Sequence, residues 1–456
     1  MTPDSSGPAG EAVSLVWLGR DLRLSDNPAL SAAASRGRVV PVFLLEDAPQ
    51  GAAARWRIGQ ALAALSRDLA GVAPLVVLHG RGDMLALAER LRADEIHLNS
   101  ALPFFRVDPA AVERPGLRLV VHPGNWLLPP GRLRTGQGGG YRRFTPFWQA
   151  LRQQDIAPPI PAPRLHGLPV QGVPPEVWGL DRAMNRGASV LAGVTAAGEA
   201  AARDRLAVFL TMTGYAQDRD RPDLPDACSG LSDALAVGEI SARQIWQAGR
   251  QAMVEGNPAA EPFLRELAWR DFARDLFHHA PDMAGVAWNP DWAGFPWRGD
   301  NADAEAWRRG QTGVDLVDAG MRQLYATGKM HNRVRMVVAS YLTKRLLTDW
   351  RVGLDWFADT LTDLDPASNA MNWQWVAGSG PDAAPFFRIF NPDTQAEKFD
   401  PKARYRDYWL RGKGAAAFAA AVPRSWPDPL IRPACLVIGL AEGRALVAYE
   451  AARKAR

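Results

Sequence analysis

The sequence predicts two architectures in one chain. An α/β domain on a parallel, Rossmann-like sheet is expected over residues 11–135, and an all-helical domain over residues 201–456, with a long linker over residues 136–200. Three observations predict this. In the first stretch, short apolar runs alternate with segments whose apolar residues recur at helical spacing, the pattern of a parallel sheet wrapped by helices. The middle stretch is punctuated by glycine and proline. Beyond residue 201 the apolar period is helical and no convincing strand stands out.

The expected strands are Val13–Leu18, Val39–Leu45, Leu75–His79, Ile96–Asn99 and Leu117–His122, each a short apolar run of a buried strand. Helices are expected at Ala54–Leu69 and Met84–Arg92. Sheets of this kind bind ligands beyond the carboxyl ends of their strands. There the first strand leads into WLGRDLRLSDNPAL, which holds no GxGxxG phosphate fingerprint. In the linker, GQGGG lacks the Lys-Ser/Thr that completes a phosphate loop and follows no strand, so it reads as a flexible connection draped over the surface. One short helix is expected near Phe147–Arg152. In the second half Val314, Val317, Met321 and Leu324, then Val334, Val337, Tyr341 and Leu342, fall at three- and four-residue steps.

Composition narrows the function classes. The chain is 47% hydrophobic and 22% charged, the balance of a soluble globular protein. No apolar run approaches the roughly 18 residues of a membrane helix. Met1 to Gly10 is polar and rich in proline and glycine, without a basic start and an apolar stretch, so no signal peptide is read and a cytoplasmic location is expected. With 2 cysteines, no His-x-x-x-His pair and no HEXXH, metal catalysis is not expected. A formal charge of +4 permits a polyanionic partner without demanding one.

Hydrolytic signatures are missing: there is no GxSxG and no Cys/His nucleophile pattern. Tryptophan, arginine and asparagine instead crowd into FLRELAWRDF (263–272), KMHNRVRM (329–336), LTDLDPASNAMNWQW (361–375) and FFRIFNPDTQAEKFDP (386–401). Glu266, Trp269 and Arg270 lie on one helical face, which by itself reads as a surface ion pair beside a packed indole. Arg333 and Arg335 cannot share a face. One can look out to a phosphate while the other turns inward to a buried acid, Asp363 or Asp365. Buried arginine with buried acid makes a site for a charged or polar heterocycle.

From about Leu15 to Tyr408 the chain resembles the DNA photolyase/cryptochrome family. The motifs are AWRRGQTGVDLVDAGMRQL, KMHNRVRMVVASYLTK, DWRVGLDWF, NWQW and APFFRIFNPDTQAEKFDP. The resemblance implies a helical domain that binds FAD, and light-driven splitting of cyclobutane pyrimidine dimers in UV-damaged DNA. It points closest to class I cyclobutane-dimer photolyases. The alternative it carries is a cryptochrome-type blue-light photoreceptor without repair. A monomer is expected, away from membranes. The protein would mainly supply orientation and electrostatics, which accounts for the missing acid–base machinery.

Position by position, the resemblance assigns Tyr215, Ser229, Leu231 and Ser232 to the FAD phosphates and ribose. Asn369 would face flavin N5, with Asp363 and Asp365 near the ring and Arg335 partnering Asp363. Glu266, Trp269 and Met336 would hold the flipped dimer, while Arg219, Asn332, Arg333 and Gln395 would contact DNA. Trp373, Trp350 and Trp307 match an electron-transfer chain, with Trp373 nearest the flavin and Trp307 at the surface; Trp375 reads as packing. CSGLSD (228–233) departs from the family's Thr-Ser-Arg-Leu-Ser-Pro, placing Cys228, Gly230 and Asp233 where a hydroxyl, a cation and a rigid turn are usual. LNSALPFFRVDPAAV and PDMAGVAW lack the glutamate and the Cys-Lys pair of folate-binding members. The second, antenna chromophore is therefore open between folate, deazaflavin, another flavin and none.

Overall fold

The computed structural model describes residues 12–49, 51–100, 103–181, 191–383, 388–423, 425–426, 428–430 and 446–451. Five strands, β1 (Ala12–Leu18), β2 (Gly37–Leu44), β3 (Val76–Leu78), β4 (Glu95–Asn99) and β5 (Arg118–His122), form a parallel sheet in the order β3-β2-β1-β4-β5. β1 lies between β2 and β4, with Leu15 opposite both Val40 and Ile96. A strand covered on both faces must be apolar at every step, which is why VSLVWL does not alternate. Side chains point to opposite faces in turn. Val16, Leu18, Val39 and Phe43 meet Ile58 and Leu62 on one side, whereas Leu15, Trp17, Val40 and Val42 meet Met84 and Leu87 on the other.

Three helices cover the sheet: α1 (Pro28–Ala34), α2 (Ala52–Leu69) and α3 (Arg81–Leu91). The first was not expected, because its buried face is only Ala29, Leu30 and Ala33 and carries little periodic signal. Its start is nonetheless written locally: Asn27 caps the Leu30 amide and Pro28 stands at the first helical position.

The connection is not simply draped over the surface. Its helix α4 (Phe144–Leu151) buries Phe144, Phe147, Trp148 and Leu151 in the core of the helical half. That half comprises α5 (Glu199–Leu210), α6 (Tyr215–Asp218), α7 (Ser232–Val237), α8 (Ala242–Val254), α9 (Ala260–His279) and α10 (Ala302–Arg308). After these come α11 (Asp315–Thr327), α12 (Asn332–Ser340), α13 (Trp350–Thr360), α14 (Pro366–Ala377), α15 (Pro392–Phe399), α16 (Arg404–Leu410) and α17 (Lys413–Ala421). No strand of the sheet comes from this half among the described residues.

The loop after β1 locks the two halves together. Leu22 donates its amide to Val237 and Arg23 donates to the Gly238 carbonyl. Gly238 has φ of 85°, and a Cβ there would stand 2.1 Å from the Arg20 carbonyl oxygen, so only glycine allows the approach. Asn99 at the end of β4 donates to Asp21 and to Asn27 of the same loop. Arg57 on α2, fully buried, pairs with Glu239 and Asp233 of the helical half. No helix among the described residues is long and apolar enough to cross a membrane.

Candidate functional site

A cavity of about 480 Å³ opens between α7, α9, α12, α13 and α14. Its walls bring together thirteen of the sequence-predicted residues. Ser229, Leu231 and Ser232 line it together with Arg335, Asp363, Asp365, Asn369 and Trp373. Arg219, Glu266, Trp269, Asn332 and Met336 complete the set.

α14 starts at the cavity wall because Asp365 caps it, accepting from the Ser368 amide, with Pro366 as its first residue. The other Asp365 oxygen accepts from Arg274 at 2.7 Å. Burial disfavours the Asp365 charge, but Arg274 and Arg270 outweigh it and hold the carboxyl below its usual range. Arg335 donates to Asp363 at 2.8 Å, so the inward-facing arginine of the Arg-x-Arg cluster and its acid partner are as expected. The second Asp363 oxygen is buried without a partner. Asn369 donates its amide to the Leu354 carbonyl, which leaves its side-chain oxygen available on the cavity wall.

Also on the cavity wall, Glu266 pairs with Arg219 at 2.8 Å rather than with Arg270, which turns inward to Asp271 and the Asn125 carbonyl. Trp269 is half-buried, with one face stacked on Phe144 at 3.6 Å between ring centroids and 8° between planes. Met336 lines the same cavity from the helix that begins at Asn332. His331 caps that helix, and burial pulls its imidazole down to about 4, so it is neutral near pH 7.

Several expectations need correction. Arg219 and Arg333 were expected to meet phosphates or the lesion flank; both guanidinium groups are paired with acids, Arg219 with Glu266 and Arg333 with Asp220 at 2.7 Å. Tyr215 does not line the cavity; it packs against Phe209 and Phe263, and burial drives its hydroxyl well above the usual range. Gln395 stands apart on α15. Trp307 is 0% exposed and donates its indole N–H to the Val338 carbonyl, so it cannot be a surface residue. Its ring instead touches Trp373 edge-on at 6.2 Å. Trp375, expected to be packing, is half-buried and lines the cavity. Residues 384–387 of APFFRIFNPDTQAEKFDP lie outside the described residues, as does Cys435.

Trp373 owes its place to a glycine. A Cβ on Gly353 of α13 would stand 2.1 Å from the Trp373 ring, so the helix must be bare there for the indole to lie flat against it. Trp350 is 1% exposed, and Arg351 sits over its ring at 4.6 Å. Sequence reasoning overlooked Trp297. It is half-buried and packs on the cluster that holds Trp350 and Trp373, and its neighbour Arg298 accepts from the Asp349 amide just before Trp350. The available signal was its setting, an indole followed by the polar run Arg-Gly-Asp-Asn.

The CSGLSD departures now have structural partners. Asp233 lies away from the cavity, in the ion pair with Arg57 and one with Lys329 at 3.1 Å. Gly230 adopts φ of 64°, and Arg205 of α5 fills the space above it. Arg205 donates to the Ser229 and Cys228 carbonyls, both at 2.7 Å. Cys228 Sγ stands 3.7 Å from the His331 ring, and burial raises its thiol, so it is no reactive nucleophile. Among the described residues no group of three or more His, Cys, Asp or Glu could hold a metal ion.

A parallel α/β layer clamped to a helical bundle, with one deep cavity mixing paired charges and indole faces, defines a two-domain cofactor-binding protein. The chain belongs to the DNA photolyase/cryptochrome family. The profile described as the FAD binding domain of DNA photolyase matches residues 263–430, and that of DNA photolyase matches residues 14–164. A deoxyribodipyrimidine photo-lyase of Agrobacterium fabrum is 43% identical, over 86% of this chain and 85% of that one. Cryptochrome-2 of Arabidopsis thaliana is 32% identical, over 87% of this chain and 70% of its own. A solved bacterial class III photolyase from Agrobacterium tumefaciens superposes with a TM-score of 0.87 at 38% identity, covering 99% and 100% of the two chains. The expected leaning toward class I is thereby displaced. The cavity fits FAD: its orphaned Asp363 oxygen can accept from an N–H or O–H donor of the kind that flavin and ribityl groups carry, and Ser229 and Ser232 are among its lining residues.

Proposed function

We propose that this chain is a light-dependent DNA repair enzyme of the photolyase type, nearer to class III than to class I, that opens cyclobutane pyrimidine dimers in UV-damaged DNA. The observation that carries the reading is one cavity in which a carboxylate (Glu266), two half-buried indoles (Trp269 and Trp375) and Met336 share walls with the Arg335–Asp363 pair and Asn369. FAD bound in this cavity would supply light absorption and the electron that breaks the dimer. Ser229, Leu231 and Ser232 would hold its phosphate and ribose end, and Arg335, Asp363, Asp365 and Asn369 its ring.

The chain's own residues do the rest. A dimer pairs poorly, so flipping it out costs less than flipping a normal base. Trp269 and Trp375 receive its flat faces, each stacking contact being worth ~1–3 kcal/mol. Glu266 hydrogen-bonds the dimer, and Arg219 fixes the carboxylate's orientation. Asn332 at the start of α12 reaches the lesion flank. Since Arg219 and Arg333 are paired with acids, backbone phosphates fall to exposed arginines without ion pairs among the described residues, such as Arg142, Arg143 and Arg265. The reading takes the protein to act as a monomer. Trp373, Trp350 and half-buried Trp297 form the electron-transfer route that keeps the cofactor reduced.

The deciding experiment reduces the purified, flavin-loaded protein and illuminates it with a dimer-containing oligonucleotide. Restored thymine is expected. No repair at normal flavin content would remove the enzyme reading and leave the photoreceptor alternative. In the same assay Glu266→Ala is expected to lower repair per photon roughly tenfold, the loss of about one charge-assisted hydrogen bond, with flavin retained; an unchanged yield would show that the carboxylate has another role. Arg205→Ala should raise the FAD dissociation constant by a similar ~tenfold, read from fluorescence of released flavin, because it frees the loop that presents Ser229 and Ser232. Equal retention would mean that the loop holds its shape unaided.

A further inference from the structure

The stretch Tyr141–Phe144 belongs to the connection between the halves, far in sequence from every cavity motif. In space it reaches the cavity from behind. Phe144 is 2% exposed and lies parallel to Trp269 at 3.6 Å, closer than any other ring pair among the described residues. Phe272 meets the same indole edge-on at 5.8 Å, and Arg265 stands over the Phe144 ring at 5.9 Å. Arg265 and Trp269, one turn apart on α9, thus both meet the Phe144 ring. Phe144 itself is tied down: it is the first residue of α4, and its amide donates to Asp382 at 3.3 Å.

An indole can serve as a stacking wall only if its plane is held. Trp269 has one face toward the cavity, and its ring has no hydrogen bond among the described residues to fix its tilt. Face-to-face contact with Phe144 supplies that restraint by packing, since any tilt of the indole would drive it into a ring whose centroid is 3.6 Å away. We propose that Phe144 is a positioning residue for lesion recognition, holding the Trp269 plane ready for a flipped pyrimidine dimer so that binding need not order the ring. The proposal rests on the reading of Trp269 as a lesion wall. It assigns the interdomain connection a part in discrimination between damaged and undamaged DNA, not only in joining the halves. Exposed Arg265 puts a positive charge beside this ring pair for the flanking backbone.

The test is the ratio of dissociation constants for dimer-containing and undamaged oligonucleotides, measured in the dark on flavin-loaded protein. Phe144→Leu keeps an apolar filler but no flat face, and is expected to reduce the ratio by roughly three- to tenfold, with affinity for undamaged DNA and flavin content unchanged. Phe144→Tyr and Phe144→Trp should restore it, which a role in mere space-filling would not produce. If the leucine chain fails to fold, Phe144→Met makes the same measurement. Discrimination equal to the parent in the leucine or methionine variant, or equal loss in the aromatic ones, overturns the proposal. Trp269→Leu run alongside separates the two ideas: should it also discriminate normally, the lesion-wall reading itself falls, whereas its loss alone would fault only Phe144.

Discussion

Trp373→Phe is expected to leave the protein folded and flavin-loaded while cutting light-driven reduction of the cofactor by at least about tenfold, ~1.4 kcal/mol of effective barrier. Phenylalanine fits the flat slot above Gly353, where a Cβ would stand only 2.1 Å from the ring, so packing is largely kept. What is lost is an oxidisable ring on the cavity wall. The neighbouring substitutions make the expectation sharper. Trp307 touches Trp373 but is 0% exposed and has its N–H committed to Val338, so Trp307→Phe should have little effect. Trp297→Phe should slow reduction, because Trp297 is the half-buried indole joined through Arg298 and Asp349 to the Trp350 end of the cluster. Transient absorption of oxidised tryptophan after a flash reads all three. If Trp307→Phe blocks reduction and Trp297→Phe does not, charge leaves by the other side and burial has been the wrong guide.

The three tryptophans show where sequence reading succeeds and where it stops. A motif in register names Trp373, and its neighbours in the chain, Asp365 and Asn369, arrive with it because one helix carries them all. Exposure is a property of the packed molecule. Nothing local distinguishes Trp307, sealed under α12, from Trp297, which lies ten positions earlier and reaches solvent. The same limit applies to pairs. That one arginine must find a buried acid was legible, while its assignment as Arg335 with Asp363 came from the resemblance, the residues alone leaving Asp363 and Asp365 open. Glu266 with Arg219 was not legible, since the i, i+4 neighbour Arg270 offered a local partner that the fold draws inward to Asp271. The sheet was read from its apolar runs almost to the residue, whereas α1 escaped because three small buried side chains leave no rhythm.

Phe144 and Trp375 mark a third kind of failure. Each was legible as an aromatic, and burial is the ordinary fate of an aromatic. Only the cavity shows that Trp375 faces it, and only the closure of the connection onto α9 shows Phe144 against Trp269. The CSGLSD departures are similar in kind. Each altered residue looked like a loss when read alone, but Arg205 comes from another helix to cover Gly230, and Asp233 exchanges a turn for an ion pair.

That ion pair carries the largest expected effect on stability. Arg57→Met should destabilise the folded chain by about 3–5 kcal/mol, the usual consequence of removing one partner from a buried charge cluster. The Arg57 guanidinium is 0% exposed and pairs with Glu239, at 3.0 Å through Nη1, and with Asp233 at 3.4 Å. Glu239 also accepts from the Gly198 amide at 2.7 Å, so its carboxylate cannot simply swing to water. Asp233 keeps Lys329, which limits its share of the loss. Replacing both charges, Arg57→Met with Glu239→Leu, should recover much of the stability, because the penalty lies in the uncompensated charge and not in the missing attraction. Denaturant midpoints at constant slope measure both. The cluster also sets a pH limit. Burial disfavours the Asp233 charge, yet Lys329 and Arg57 outweigh it and hold the carboxyl below its usual range. Its contribution is therefore present above an unfolded value of about 4 and is lost as pH falls through the lower folded value. The cavity feels the same loss, since α7, which begins at Ser232 and carries Leu235 and Ala236 on the wall, is the helix that Asp233 anchors to the α/β half. Arg57→Met protein that still folds should release flavin faster than the parent; if it is destabilised but holds flavin equally well, the interdomain cluster supports the fold and leaves the cavity untouched.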